Sequence, residues 1–178
     1  LNRASQGLGL ITIDCFLILN DADKNVTAFL KETLAPILAE AKATEERLSL
    51  EVAYFSEPFE QLYPKVKNLL SKLRCRNVLF NLDQCGHSHV DRRTILDITR
   101  SNPSAEIFYT FAIEALISFL RKSDPVMLAT QLAPIGIPES ELKNLENYLN
   151  TNSWLGAAER LVFQAFKRCA PYVSPFSI

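Results

Sequence analysis

Glycine is scarce in this chain, five residues in 178, and the nine prolines are spread along it, so no low-complexity linker is present. Charge of one sign is also lacking. Nineteen Lys and Arg face twenty Asp and Glu, a formal charge of −1, which excludes a general basic coat for nucleic acid and leaves room only for a local basic face. No apolar run approaches a membrane span, and no charged segment with an apolar stretch behind it opens the chain as a secretory signal would. The cysteines at 15, 75, 85 and 169 include no C-x-x-C pair, which reads as free thiols in a reducing cytoplasm rather than a disulfide framework. What is present, 48% hydrophobic and 22% charged residues, suits a cytoplasmic globular domain able to bury a core.

The apolar residues come in alternating kinds of run. "ITIDCFLILN" (11–20) is β-branched and apolar and stops at the polar "NDADKN", as a buried strand does. "VTAFLKETLAPILAEA" then spaces Val26, Phe29, Leu30, Leu34, Ile37 and Leu38 as one stripe of an amphipathic helix, with a kink or restart expected at Pro36. "LSLEVAYF" predicts a second strand, and Phe59, Leu62, Val66, Leu69, Leu70 and Leu73 mark a second helix. "NVLFNLD", "DRRTILDITRS" and "AEIFYTFAI" follow as strand, helix and strand, and no joint looks like a two-residue hairpin. Alternation of this kind predicts an α/β fold: a Rossmann-like, doubly wound, mostly parallel sheet with both faces covered.

The pattern changes after about residue 112. Residues 1–122 read as the α/β core, with "EALISFLRK" as its closing helix, and residues 123–170 as a helical insert. The last insert helix has its stripe at Leu155, Ala158, Leu161, Val162, Ala165, Phe166 and Cys169. Residues 171–178, through "YVSPFSI", predict the start of a further core strand. The chain opens without a Met and ends on strand-like residues, so it is expected to be an internal piece, incomplete at both edges.

In open α/β sheets, ligands bind outside the carboxyl ends of the strands. Three such ends are polar here. The first carries Asn20, Asp21 and Asp23, acids suited either to ribose hydroxyls or to capping the next helix. The second carries Ser56, Glu57 and Phe59, a polar group and an aromatic beside which an adenine can lie, or simply a turn and a core ring. The third is Asp83-Gln84-Cys85-Gly86 followed by His87 and His89. Cys85 and the histidines suggest zinc, but alternate residues of an extended segment point apart and no fourth ligand is marked, so no metal is expected. A nucleophilic Cys85 would need a histidine in contact and an orienting third group, and no oxyanion site is recognisable.

"FLILNDADKNVTAFL", "VLFNLDQCGHSHV", "TILDI" and "AEIFYTFAIEALISFL", in that order over almost the whole chain, resemble the three-Cys-motif partner (TcmP) family. That resemblance implies an S-adenosylmethionine-dependent methyltransferase-like protein whose insert is similar to a winged helix. It places Asp21 on the cofactor ribose with Asp23 beside it, and Glu57 and Phe59 beside the adenine. Asp83, Gln84, Cys85 and Gly86 then stand where methyltransferases of amino groups carry an Asp/Asn-Pro-Pro-Tyr type motif. Gln84 and Cys85 replace the prolines and Gly86 the aromatic, so the stacking platform for a base amine is not supplied. The glycine-rich turn that should precede "DCFLILND" is represented only by Gly7 and Gly9. The implied partners are a nucleic acid, met by the insert through Arg160, Lys167 and Arg168, and a three-Cys-motif protein. The alternative is a non-catalytic binding subunit, a degenerate methyltransferase fold that partners another enzyme. For the basic residues of the insert, and for Lys65, Lys67, Lys72, Arg74 and Arg76, a solvated helical face is the competing reading.

Overall fold

A computed structural model describes residues 12–44, 47–83, 90–102, 104–111, 136–138, 140–141 and 154–175. In chain order these form β1 (Ile13–Asn20), α1 (Lys24–Thr44), β2 (Leu48–Phe55), α2 (Phe59–Leu73), β3 (Val78–Leu82), α3 (Arg92–Ser101), β4 (Ala105–Tyr109) and α4 (Trp154–Lys167). The chain divides into two compact units, Leu1–Leu62 and Tyr63–Ile178, a cut well before the domain boundary expected after residue 122.

The first unit is a βαβ arrangement. β1 and β2 run parallel, with Ile13 beside Leu48 and Asn20 beside Phe55. A parallel pair cannot be closed by a hairpin, and α1 supplies the crossover and packs on β2. α1 starts where Asp23 accepts a hydrogen bond from the Asn25 amide at 2.8 Å and its own carbonyl accepts one from the Thr27 amide at 3.1 Å. The helix then continues through Pro36 to Thr44, so of the expected kink or restart, the restart does not occur. Its apolar residues do not form one buried stripe either. Leu30, Leu34 and Leu38 are half-buried, whereas Phe29 and Ile37 are 66% and 58% exposed. The stripe is too wide for one strand pair, so only the half nearest β2 is covered. β1 has no fully buried residue, and Ile13 is more than half exposed.

The second unit repeats the arrangement with β3, α3 and β4. Val78 lies beside Ala105 and Leu82 beside Tyr109, again in parallel. Both strands alternate. Phe80 and Leu82 are buried, while Leu79 and Phe108 point to solvent. Alternation is the mark of a sheet covered on one face, and burial of both faces is not seen among the described residues. α3 supplies Ile95 and Ile98, the latter fully buried, and each such side chain removed from water contributes roughly 1.5–3 kcal/mol. Asp91 caps α3 through its carboxylate and the Arg93 amide at 2.7 Å, and Asn102 closes it by donating to the Ile98 carbonyl. Tyr63 of α2 stacks obliquely on Phe80, with centroids 6.4 Å apart.

α4 belongs to this core. Ala158, Val162, Ala165 and Cys169 are buried, Phe166 meets the rings of Tyr109 (4.8 Å) and Phe111 (6.0 Å), and Thr99 donates to the Cys169 carbonyl at 3.0 Å. Of the expected insert, residues 123–135 and 142–153 lie outside the described residues, as does the expected closing helix of the core up to residue 122. Residues 171–175, expected to begin a strand, run as irregular chain, with Tyr172 92% exposed.

Candidate functional site at the carboxyl ends of the strands

The carboxyl ends of β1 and β2 are tied together by side chains. Asn20, the last residue of β1, uses both halves of its amide: Nδ2 donates to the Glu57 carbonyl at 2.9 Å, and Oδ1 accepts from the Glu57 amide at 3.2 Å. The Asp21 amide donates to the Phe55 carbonyl at 3.4 Å, continuing the ladder one step. Thr27, buried on the first turn of α1, sits with its hydroxyl 3.1 Å from the Phe55 carbonyl, 3.2 Å from that of Asp23 and 3.4 Å from that of Asp21. One hydroxyl hydrogen shared among these acceptors holds the helix start over both strand ends.

Four residues expected near a cofactor fall here. The half-buried Asp21 accepts from the Asp23 amide through Oδ1 at 2.8 Å, which fixes the carboxylate; Oδ2 has no partner among the described residues. Asp23 is the exposed cap of α1, the role weighed for these acids as the alternative to ribose binding. Glu57 is half-buried beside Asn20. Phe59, also half-buried, opens α2, whose first turn is closed by the Pro58 carbonyl accepting from the Gln61 and Leu62 amides. The Asp21 carboxylate is thus held at one oxygen, and a carboxylate oxygen accepts hydrogen bonds from hydroxyl or amide donors.

The second unit has its own strand-end pair. Asp83 follows β3, and its Oδ1 accepts from the Thr110 hydroxyl at 2.7 Å just beyond β4. Gln84, Cys85 and Gly86, with His87 and His89, lie outside the described residues. Among the described residues no group of three or more His, Cys, Asp or Glu is placed to hold a metal ion. The described cysteines, Cys15, Cys75 and Cys169, are free thiols.

A polar cluster absent from the sequence reading joins α2 to α3. The Asp97 carboxylate receives Lys67 Nζ on both oxygens at 2.7 and 2.6 Å, the Tyr63 hydroxyl at 2.6 Å and the Ser101 hydroxyl at 3.2 Å. The Lys67 ammonium first, and the Tyr63 hydroxyl second, hold the Asp97 carboxyl below the usual carboxylate range against a smaller opposing effect of burial. On the basic residues of α4, Lys167 lies over the Phe163 ring, 5.6 Å from its centroid, and Arg168 pairs with Glu141 at 3.0 Å. Both cations are therefore engaged within the fold.

Comparison with protein-family models, with curated proteins and with solved structures found no match to this chain. The resemblance to the TcmP family thus stands on its sequence motifs. No helix among the described residues is long and apolar enough to cross a membrane.

Proposed function

We propose that this chain is a cytoplasmic, S-adenosylmethionine-dependent methyltransferase-like protein that takes its cofactor at the carboxyl ends of β1 and β2. The observation that carries this reading is the fixed Asp21 carboxylate beside the Glu57–Phe59 turn, at the end of a parallel pair where open α/β sheets bind ligands. In this reading Asp21 accepts from the ribose, Asp23 holds Asp21 and the start of α1 in place, and Glu57 and Phe59 flank the adenine. The strand pairing is compatible with it: a doubly wound sheet of order 3-2-1-4-5 contains two parallel pairs, 2–3 and 4–5, each bridged by a helix, and the chain supplies two such pairs. S-adenosylmethionine, when bound, supplies an electrophilic methyl group. Asp83, held by Thr110, is the residue proposed, together with Gln84, Cys85 and Gly86, to meet the methyl acceptor, a nucleic acid or a partner-bound substrate, by accepting a hydrogen bond from it.

A second reading, a non-catalytic binding subunit that partners a three-Cys-motif protein, is favoured by the work the acids already do. Asp23 and one oxygen of Asp21 satisfy backbone amides at the start of α1, which a purely structural role would also require. Calorimetric titration of S-adenosylmethionine and S-adenosylhomocysteine separates the two. Binding in the micromolar range, about −8 kcal/mol, that weakens at least tenfold in Asp21→Ala supports the cofactor site. No binding to the folded protein sinks it and favours the binding subunit.

A further inference from the structure

We infer that Asn20 is the positioning residue of the β1–β2 site, setting where Glu57 stands against Asp21. The inference rests on the cofactor reading and deepens it. Asn20 is the last strand residue, in register with Phe55, yet its side chain reaches past that partner to the backbone of Glu57. The two bonds form a closed amide-to-amide pair, the pattern of a ladder rung, built from a side chain where the β2 backbone has left the strand. In this parallel register the next backbone rung would run from the Glu57 amide to the Asp21 carbonyl; the Glu57 amide donates to Asn20 Oδ1 instead, so the side chain takes over where the backbone ladder stops. Asp21 is the next residue along from Asn20. The rung therefore fixes the spacing between the ribose-facing acid and the turn that flanks the base.

The chemistry required is narrow. One planar group must donate to a carbonyl and accept from an amide, which Asn does and Asp does not. Asn20→Asp keeps the size and the acceptor, loses the donor, and places a negative oxygen against the Glu57 carbonyl. The turn is then pushed away from Asp21 while β1 and β2 keep their own ladder.

The test compares wild type and Asn20→Asp by calorimetry with S-adenosylhomocysteine and, separately, adenosine. Circular dichroism melts establish folding, and the exchange rate of the Glu57 amide hydrogen is read by NMR. The expected result is a loss of about tenfold in affinity, equal for the two ligands because both present the same nucleoside, with faster Glu57 exchange. A role confined to stability would lower the melting temperature and leave the affinity of the folded variant unchanged, and that result overturns the inference while leaving the cofactor site standing. Failure of wild type to bind either ligand overturns the cofactor reading and the inference with it. If Asn20→Asp does not fold, Glu57 exchange in wild type decides: slowing on addition of S-adenosylhomocysteine supports the rung as part of the site, and no change overturns it.

Discussion

Removing a single oxygen tests the α2–α3 clamp most sharply. Tyr63→Phe deletes the hydroxyl that donates to Asp97 at 2.6 Å and keeps the ring that meets Phe80. A hydrogen bond to a charged acceptor contributes about 1.5–3 kcal/mol when buried. The Asp97 side chain is 39% exposed, so water competes for it, and a loss of about 1–1.5 kcal/mol is the appropriate expectation. The Lys67 ion pair, with Lys67 itself 44% exposed, adds only about 0.2–1 kcal/mol. The dependence on pH has a definite sign. Asp97 is held below its ordinary value of 3.8 in the folded protein, and the unfolded chain returns it there. The contribution is therefore complete above about pH 5 and is lost as pH falls through the depressed folded value. Urea unfolding of wild type and Tyr63→Phe, repeated from pH 7 downward, reads this directly. A difference below about 0.3 kcal/mol at pH 7, or one that grows as the solution is acidified below pH 4, would refute the reasoning.

Two further outcomes follow from backbone geometry. Arg74 ends α2 at φ 51°, where the Cys75 amide bonds back to Leu70 and the Arg74 amide to Ser71, a Schellman turn whose left-handed residue is normally glycine. Arg74→Gly is expected to stabilise by about 0.5–1 kcal/mol, measured by the urea midpoint, because relief of the left-handed strain exceeds the added freedom of the unfolded chain. Gly136 has φ 74°, and a Cβ there would lie 2.5 Å from Arg92 Cδ. Gly136→Ala is expected to cost roughly 1–2 kcal/mol, and Arg92→Ala in the same chain should recover only the part due to crowding.

The strands were legible in the sequence because their ends carry chemistry. β2 has the expected bounds, 48–55, since "SEPF" stops it with polar and proline residues. The covering of those strands was not legible. Leu79 and Phe108 are as apolar as Phe80, and only the arrangement of neighbouring helices decides which face is buried. The same holds for Phe29 and Ile37 on α1, where the stripe predicts an amphipathic helix without saying how much of its width has a partner. At the site, Asp21, Asp23, Glu57 and Phe59 could be named from strand ends, whereas the Asn20–Glu57 rung depends on the parallel register that sets the two ends side by side. The Asp97 cluster left a fainter trace. Tyr63 and Lys67, and likewise Asp97 and Ser101, are four residues apart on their helices and so share a face, but that two such faces meet is a fact of packing.

The two parallel pairs also shape how the chain folds. Neither pair can zip up from a tight turn; each must first close a loop containing a whole helix, 21 residues in α1 and 10 in α3. Closure cost rises only slowly with loop length, so the longer crossover is disfavoured by less than about 1 kcal/mol. What differs is the local help. α3 is capped at both ends, by Asp91 and Asn102, and buries Ile95 and Ile98, while α1 buries only Thr27. A nucleus built on β3, α3 and β4 should therefore form first, and substitutions in α3 should slow folding while those in α1 chiefly speed unfolding.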